Sequence, residues 1–196
     1  MFGWAILLAT AGAEISPEGQ KLAAFFDGLH VDQKWLPGGV VKWESGVTIQ
    51  KLPNDGKPHT HCSAFAASAC KKLGVYLLRP PEHSSTHLAN AQADWLAGDG
   101  KAKGWAPVAD AAAAQAAANR GKVVVAVFKE GLGRHGHVAL VRPAEKTAAM
   151  IVAEGPQIIQ AGMENHVSAT FRAGFKHHPA ALAGGVKFYA HDATIP

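Results

Sequence analysis

Residues 61–65 read His61-Cys62-Ser63-Ala64-Phe65 and open a helical pattern that runs to Gly74. The apolar face of this helix consists of Cys62, Phe65, Ala66, Ala69 and Leu73, at the spacing of one helical stripe. A thiol at the start of a helix faces unpaired N–H groups and the positive end of the helix dipole, which favour the nucleophilic thiolate. The Cys62 N–H is also free to donate to an oxyanion. The pattern predicts a nucleophilic cysteine; the alternative is a small core residue, as expected for Cys70.

Helical patterns dominate the chain up to residue 121, and strand patterns dominate the rest. Ser16 and Pro17 predict a helix that reaches Leu29, because serine caps a helix and proline suits its first turn. Further helices are predicted at residues 84–97 and 107–120. Strands are predicted at residues 40–43, 75–78, 123–128, 137–142, 150–154 and 186–190. Because most connections between the later strands are short, the sequence predicts an α+β fold with a helical half packed on an antiparallel β-sheet.

A general base and a third residue can be placed on two of these strands. The strand at 137–142 begins with His137, directly after Gly136, and the strand at 150–154 ends with Glu154. If the two strands form a hairpin, His137 lies opposite Glu154, with their Cβ atoms about 5 Å apart. Cys62, His137 and Glu154 would then form a nucleophile–base–carboxylate triad. A register shift of one residue would place the two side chains on opposite faces, and each has an ordinary structural alternative.

These motifs resemble those of the NlpC/P60 and CHAP peptidoglycan hydrolases over roughly residues 55–160. In those families the nucleophile motif is a polar residue, Cys, Ser or Thr, a small residue and an aromatic, which matches residues 61–65. The stretch Gly136-His137-Val138-Ala139-Leu140-Val141 is similar to their histidine strand. Glu154 matches the carboxylate of CHAP-type members, where many NlpC/P60 members have a second histidine. The resemblance implies a papain-like fold and a cysteine amidase or endopeptidase that cleaves cell-wall peptides through a thioester.

The chain departs from the family pattern in two places. His61 stands before the cysteine, where Asp or Asn is common, and the helix-rich residues 79–121 do not map onto the pattern. The fold could therefore serve a different role. The alternative function is a non-catalytic papain-like module that binds a wall peptide or a protein partner.

Several polar and aromatic residues are further candidates for the site. Gln157 and Gln160 follow the predicted hairpin and could orient His137 or contact the substrate, although ordinary loop amides explain them equally. His59 and His61 could line the cleft or add an oxyanion donor. Trp95 could form a substrate wall, although core packing is the commoner use of a tryptophan.

A zinc site is the main alternative for the residues around Cys62. His59, His61 and Cys62 lie within four positions, and His83, His87, His177 or His178 could complete a site. Structural zinc sites usually pair their ligands at defined spacings, and no second half is present in this sequence. The proposed chemistry needs no metal and no organic cofactor.

Composition restricts the partners and the location. The chain has 196 residues, a formal charge of +4 and scattered basic residues, which predicts one domain over 14–196, a peptide or peptidoglycan substrate, a monomer and no nucleic-acid partner. Residues 1–13 are apolar and end in Ala11-Gly12-Ala13, which predicts a cleaved signal peptide and a secreted or periplasmic protein. No Lys or Arg precedes Lys21, so a misassigned start or a buried helix remains an alternative. The segment is too short to span a bilayer.

The two cysteines are not expected to form a disulfide with each other. Cys62 and Cys70 lie on one predicted helix, roughly 12 Å apart by helical rise. A disulfide requires Cα atoms closer than about 7 Å. The sequence therefore predicts two free thiols.

Overall fold

A computed structural model describes residues 14–57, 59–131 and 133–196, so the predicted signal peptide at residues 1–13 lies outside the described residues. The helices are α1 (Pro17–Asp27), α2 (Cys62–Lys72), α3 (Leu88–Ala97), α4 (Ala111–Asn119), α5 (Ala148–Glu154) and α6 (Phe171–Gly174), with shorter helical turns at Asp99–Lys103 and Ala181–Gly185. The strands are β1 (Gly39–Val41), β2 (Thr48–Lys51), β3 (Ala106–Val108), β4 (Val123–Phe128), β5 (His137–Val141), β6 (Gln157–Gln160), β7 (His166–Thr170) and β8 (Lys187–His191).

Six strands form one antiparallel sheet in the order β3-β8-β4-β5-β6-β7. Its centre is β4 and β5, and every residue of these two strands is buried. Their β-branched and small apolar side chains suit a strand that is covered on both faces. Strands β1 and β2 form a separate hairpin. The strands predicted at 123–128, 137–142 and 186–190 are confirmed to within a residue or two.

Helices cover both faces of the sheet, so the protein has two apolar cores. One core joins α1, α2 and α3 to one sheet face, which includes Val138 and Leu140 of β5. The other joins α4 and residues near α6 to the opposite face, which includes Ala139 and Val141. Neighbouring strand residues point to opposite faces, so this division follows the strand period of two. The α+β class is confirmed, with a helical layer on each side of the sheet.

The N-terminal helix begins and ends close to the predicted positions. The Ser16 side chain accepts a hydrogen bond from the Gly19 N–H and caps α1. Its hydroxyl also donates to the Asn119 carbonyl at 2.9 Å, which ties α1 to the end of α4. The predicted helix at 84–97 starts later, because His87 has a φ of 54° and α3 follows it.

The predicted strand at 150–154 is wrong, because these residues belong to helix α5. The Thr147 side chain accepts a hydrogen bond from the Met150 N–H and starts the helix, and Gly155, at a φ of 75°, follows its end. The strand beside β5 is instead β6, in a register that pairs Leu140 with Ile159. A short apolar run fits a helix and a strand equally well by periodicity, and here the threonine cap decides for the helix.

The predicted strand at 75–78 is also wrong. These residues form an irregular connection with a bend at Leu78, and Val75 and Leu77 are buried in the core. The indole N–H of Trp105 donates to the Tyr76 carbonyl at 2.7 Å. This backbone carbonyl therefore bonds to a side chain instead of to a neighbouring strand. Within the part of the chain that the structure describes, no helix is long and apolar enough to cross a membrane.

Candidate active site

Cys62 is the first residue of α2, as the sequence predicts, and only 5% of it is exposed. The first hydrogen bond within the helix joins the Phe65 N–H to the His61 carbonyl at 2.9 Å. The N–H groups of Cys62 and Ser63 therefore remain directed at the thiol, and they lower its pKa together with the Val138 N–H. Burial has the larger effect and raises the pKa of Cys62 above its ordinary value. The expectation that the helix terminus leaves a thiolate is thus corrected: the resting group is a protonated thiol.

Cys70, in contrast, is a core residue. It is fully buried, and burial raises the pKa of its thiol to about 12. Both cysteines are free, which confirms the prediction. Cys70 therefore serves as an internal reference for the reactivity of Cys62.

His137 is the first residue of β5 and is held by Gln160, the last residue of β6. The His137 Nε2 lies 2.8 Å from Gln160 Oε1. The orientation of the amide is set independently, because Gln160 Nε2 donates to the Glu164 carbonyl at 3.2 Å. Gln160 Oε1 can only accept, so the proton of His137 resides on Nε2 and Nδ1 keeps its lone pair. Burial lowers the pKa of His137, so the ring is neutral and suited to act as a base.

Cys62 and His137 both lie at the start of β5. The Cys62 thiol is beside the N–H of Val138, the residue that follows His137. The ring of His137 packs edge-on against Phe175 at a centroid distance of 4.7 Å. Both residues are described, and no hydrogen bond joins the thiol to the ring. The predicted nucleophile therefore lies beside the backbone of the residue that follows the predicted base. The Nε2 nitrogen of the His137 ring faces Gln160.

Glu154 does not fill the predicted third position. It is the last residue of α5, and its carboxylate accepts a hydrogen bond from Lys146 Nζ at 2.9 Å. The Lys146 side chain is only 2% exposed, so Glu154 compensates a buried positive charge. The helix at 148–154 moves Glu154 away from the position that a strand would have given it. Gln160, a weaker candidate from the sequence, orients His137 instead.

Gln157 and Trp95 have structural roles. Gln157 lies at the opposite end of β6 from Gln160, where its Nε2 donates to Ser168 Oγ at 2.7 Å. Trp95 is half-buried and packs edge-on against Tyr76 at a centroid distance of 5.4 Å. Neither residue contacts His137 or Cys62 through any hydrogen bond or ring contact of the described residues.

His59 and His61, which precede Cys62, differ in their surroundings. His59 Nε2 lies 2.9 Å from Asp55 Oδ1, so this ring is already engaged. His61 Nε2 is buried and has no hydrogen-bond partner among the described residues. Burial lowers the pKa of His61, which keeps it neutral. His61 Nε2 is therefore available to a ligand, whereas His59 Nε2 is bound to Asp55.

A cavity of about 180 Å³ opens beside the His137–Gln160 pair. Thr60, two residues before Cys62, lines this cavity. Besides His137, four histidines line it: His135, His166, His177 and His178. Across the described ranges, no cluster of three His, Cys, Asp or Glu side chains is arranged to hold a metal ion.

The approach to His137 is fixed by Asn90 of α3. Asn90 Nδ2 donates to the Arg134 carbonyl at 2.9 Å, and Asn90 Oδ1 accepts from the Glu130 N–H at 3.1 Å. A Cβ on Gly136 would lie 2.3 Å from Asn90 Oδ1, so only glycine fits between this clamp and His137. The sequence did not reveal this clamp, because Asn90 is 40 and 44 positions away from its two partners.

No protein-family model and no curated protein matches this chain.

Proposed function

We propose that this protein is a cysteine hydrolase with a papain-like site that cleaves an amide bond in a peptide, with cell-wall peptide as the substrate class. Cys62 is the nucleophile, His137 is the general base and acid, and Gln160 orients the imidazole. The observation that carries the proposal is the His137 Nε2–Gln160 Oε1 hydrogen bond of 2.8 Å, on the strand whose Val138 N–H meets the Cys62 thiol. The preference for cell-wall peptide rests on the resemblance of residues 61–65 and 136–141 to peptidoglycan hydrolases.

The reaction proceeds in two halves. His137 Nδ1 takes the thiol proton, and the Cys62 sulfur attacks the amide carbonyl to form a tetrahedral intermediate. The Cys62 N–H stabilises the oxyanion, because it has no partner within the helix. The intermediate collapses to a thioester, and the imidazolium gives its proton to the departing amine. Water, deprotonated by His137, then hydrolyses the thioester and restores the thiol.

The resting state pairs a protonated thiol with a neutral imidazole. Burial favours the uncharged form of both groups, since it raises the pKa of Cys62 and lowers that of His137. The ion pair forms only when His137 Nδ1 reaches the sulfur, and catalytic hydrogen bonds of substrate-free sites commonly tighten in this way on binding. Gln160 supports the step by holding the proton of Nε2 throughout.

A thiol-alkylation experiment tests the assignment. Iodoacetamide labelling at neutral pH, read by peptide mass mapping, should modify Cys62 and leave Cys70 unmodified. His137→Ala should slow the labelling of Cys62 by about a hundredfold, in the range of a lost general base. Gln160→Ala should slow it by about tenfold, since the ring loses its orienting bond but remains present.

Two neighbouring residues supply matched controls. Glu154→Gln tests the carboxylate that the sequence predicted for the site, and Gln157→Ala removes the other glutamine of β6. Both variants should label at the wild-type rate, because Glu154 binds Lys146 and Gln157 binds Ser168. Loss of labelling in Glu154→Gln with unchanged labelling in Gln160→Ala would reverse the assignment of the third residue.

Substrate cleavage provides the second readout. Purified protein incubated with peptidoglycan or with synthetic stem peptides should release products with new amino and carboxyl ends, detected by mass spectrometry. Cys62→Ser should abolish the products while keeping the fold. Products that persist in Cys62→Ser would overturn the proposal.

A non-catalytic binding module is the second candidate, and the burial of Cys62 favours it. The residue is 5% exposed, the pKa of its thiol is raised, and the thiol has no hydrogen bond to His137. A module of this kind would bind a wall peptide or a protein partner without turnover. Wild-type Cys62 that ignores the alkylating probe, with labelling no faster than in His137→Ala, would favour this reading.

A further inference from the structure

A second histidine, His178, covers the ring of His137. The two rings are nearly parallel, with an interplanar angle of 14° and a centroid distance of 5.3 Å. Phe175 meets the His137 ring edge-on, at an angle of 76°. The imidazole of His137 is therefore confined by a stacked ring, an edge-on ring and the hydrogen bond to Gln160.

His178 is itself held in place from several directions. Its Nδ1 lies 3.5 Å from Glu130 Oε2, and its ring packs against Phe128 at 5.6 Å. Its backbone N–H donates to the Phe175 carbonyl at 2.9 Å. Glu130 is itself fixed, because its N–H is bound by Asn90 and its side chain is only 14% exposed. An imidazole anchored in this way forms a rigid surface for its neighbour.

We propose that His178, backed by Glu130, is a positioning residue that holds the His137 ring in the plane where Nε2 meets Gln160 and Nδ1 is left for Cys62. The inference rests on the proposed function, since it assigns a role in the proton transfer by His137. A free imidazole on a strand end can rotate about two side-chain bonds, and the stacked ring removes most of that freedom. Correct orientation of a reacting group is worth large rate factors.

The charges around His178 are consistent with this role. The titratable and charged groups nearest to it are His137, Glu130 and His177, and Arg134 lies 3.8 Å from the Glu130 carboxylate. The cavity beside it also carries His135, His166, Glu164 and Lys176. Burial lowers the pKa of His178, the proximity of His137 lowers it further, and Glu130 acts in the opposite direction. Protonation of both stacked imidazoles at once is therefore disfavoured.

Two substitutions at His178 separate stacking from simple bulk. His178→Ala removes the ring and should slow alkylation of Cys62 by about fivefold, the rate equivalent of one aromatic contact. His178→Phe restores a flat ring without titratable nitrogens and should label within about twofold of wild type. His83→Ala, which removes a histidine whose Nδ1 meets only the Ser84 carbonyl, is the matched control and should have no effect.

Nuclear magnetic resonance of the imidazole nitrogens supplies a readout that a merely structural role would not move. In the wild type, His137 should show a protonated Nε2 with slow exchange, because that N–H is bonded to Gln160. The signal should broaden in His178→Ala and return in His178→Phe, while thermal melts show both variants to be folded.

The outcomes distinguish this inference from the proposed function. If His178→Ala labels like wild type and keeps the slow Nε2–H signal, His178 has no positioning role, whereas the proposed function stands as long as His137→Ala is slow. If His178→Phe is as slow as His178→Ala, stacking does not position the ring and the inference fails. If His137→Ala labels like wild type, the proposed function fails, and the Nε2–H signal still decides whether His178 orders the ring.

Discussion

At the residue scale, the third member of the proposed site is an amide in place of the predicted carboxylate. Gln160 Oε1 accepts from His137 Nε2 as a carboxylate would, and it fixes the same tautomer of the ring. Burial lowers the pKa of His137, and the hydrogen bond to Gln160 opposes this effect without overcoming it. Gln160 therefore orients the ring while the pKa of His137 stays below its ordinary value.

Gly174 provides space for this amide, and we predict that Gly174→Ala disturbs it. A Cβ at this position would lie 2.6 Å from Gln160 Oε1 and 2.3 Å from Ile158 Cδ1. The variant should lose about 1–3 kcal/mol of stability through overpacking and should label Cys62 more slowly than wild type. Thermal melts and alkylation rates measure the two effects.

Gly28→Ala is the control for this substitution. Gly28 has a φ of −66°, and an added Cβ would meet nothing closer than 3.4 Å. The Gly28→Ala variant should therefore have the thermal stability and the Cys62 labelling rate of the wild type. A Gly174→Ala variant that labels like wild type would show that Gln160 moves without disturbing His137.

At the element scale, Gln92 of α3 joins the first turn of α2 to the connection after it. Gln92 is fully buried, and its Nε2 donates to the Ser63 carbonyl at 3.1 Å and to the Leu78 carbonyl at 2.9 Å. Ser63 follows Cys62 directly. The position of Cys62 thus depends on a helix from a different part of the chain.

We predict that Gln92→Leu destabilises the protein. The substitution leaves the part-buried Leu78 carbonyl without this donor, and a hydrogen bond left unmade away from water costs about 1–3 kcal/mol. Gln33→Leu is the control, because the Gln33 side chain is exposed and its hydrogen bond among the described residues goes to Asp32 at 3.5 Å. Denaturant melts that place both variants at the same midpoint would contradict the role assigned to Gln92.

The insertion of α5 between β5 and β6 explains the main error in the predicted site. The sequence suggests a short hairpin across residues 143–148, and such a hairpin pairs His137 with Glu154. The chain instead forms a helix at 148–154 and returns as β6, which places Gln160 beside His137. Periodicity over a few apolar residues cannot distinguish these two paths, so the register had to come from the tertiary structure.

At the scale of the whole molecule, buried titratable groups predict how stability depends on pH. Burial lowers the pKa of His61, His137 and His178 from the ordinary value of 6.5. Below that value the unfolded chain binds protons that the folded protein resists. The contribution of these histidines to the free energy of unfolding should therefore be complete above pH 6.5. It should fall as the pH drops below that value, until the histidines of the folded protein are protonated as well.

The two cysteines predict a corresponding loss at alkaline pH. Burial raises the pKa of Cys62 and Cys70 from the ordinary value of 9.0, to about 12 for Cys70. Above 9.0 the unfolded thiols ionise before the folded ones do, so stability should fall as the pH rises. Thermal melts across this range should show a maximum near neutral pH. His137→Gln should reduce the fall of the melting temperature at acid pH, and Cys70→Ala should reduce its fall at alkaline pH. If both variants keep the wild-type pH dependence, these two groups do not cause the loss of stability.

The sequence by itself determined the helix that begins at Cys62, the buried strands β4 and β5, the α+β class and His137 at a strand start. These features follow from local periodicity, caps and strand composition, which act within one segment of chain. The tertiary structure alone decided that Gln160 orients His137, that Glu154 serves Lys146, and that His178 covers the ring. These pairings depend on strand register and on helices arriving from distant segments, and local sequence patterns do not encode either.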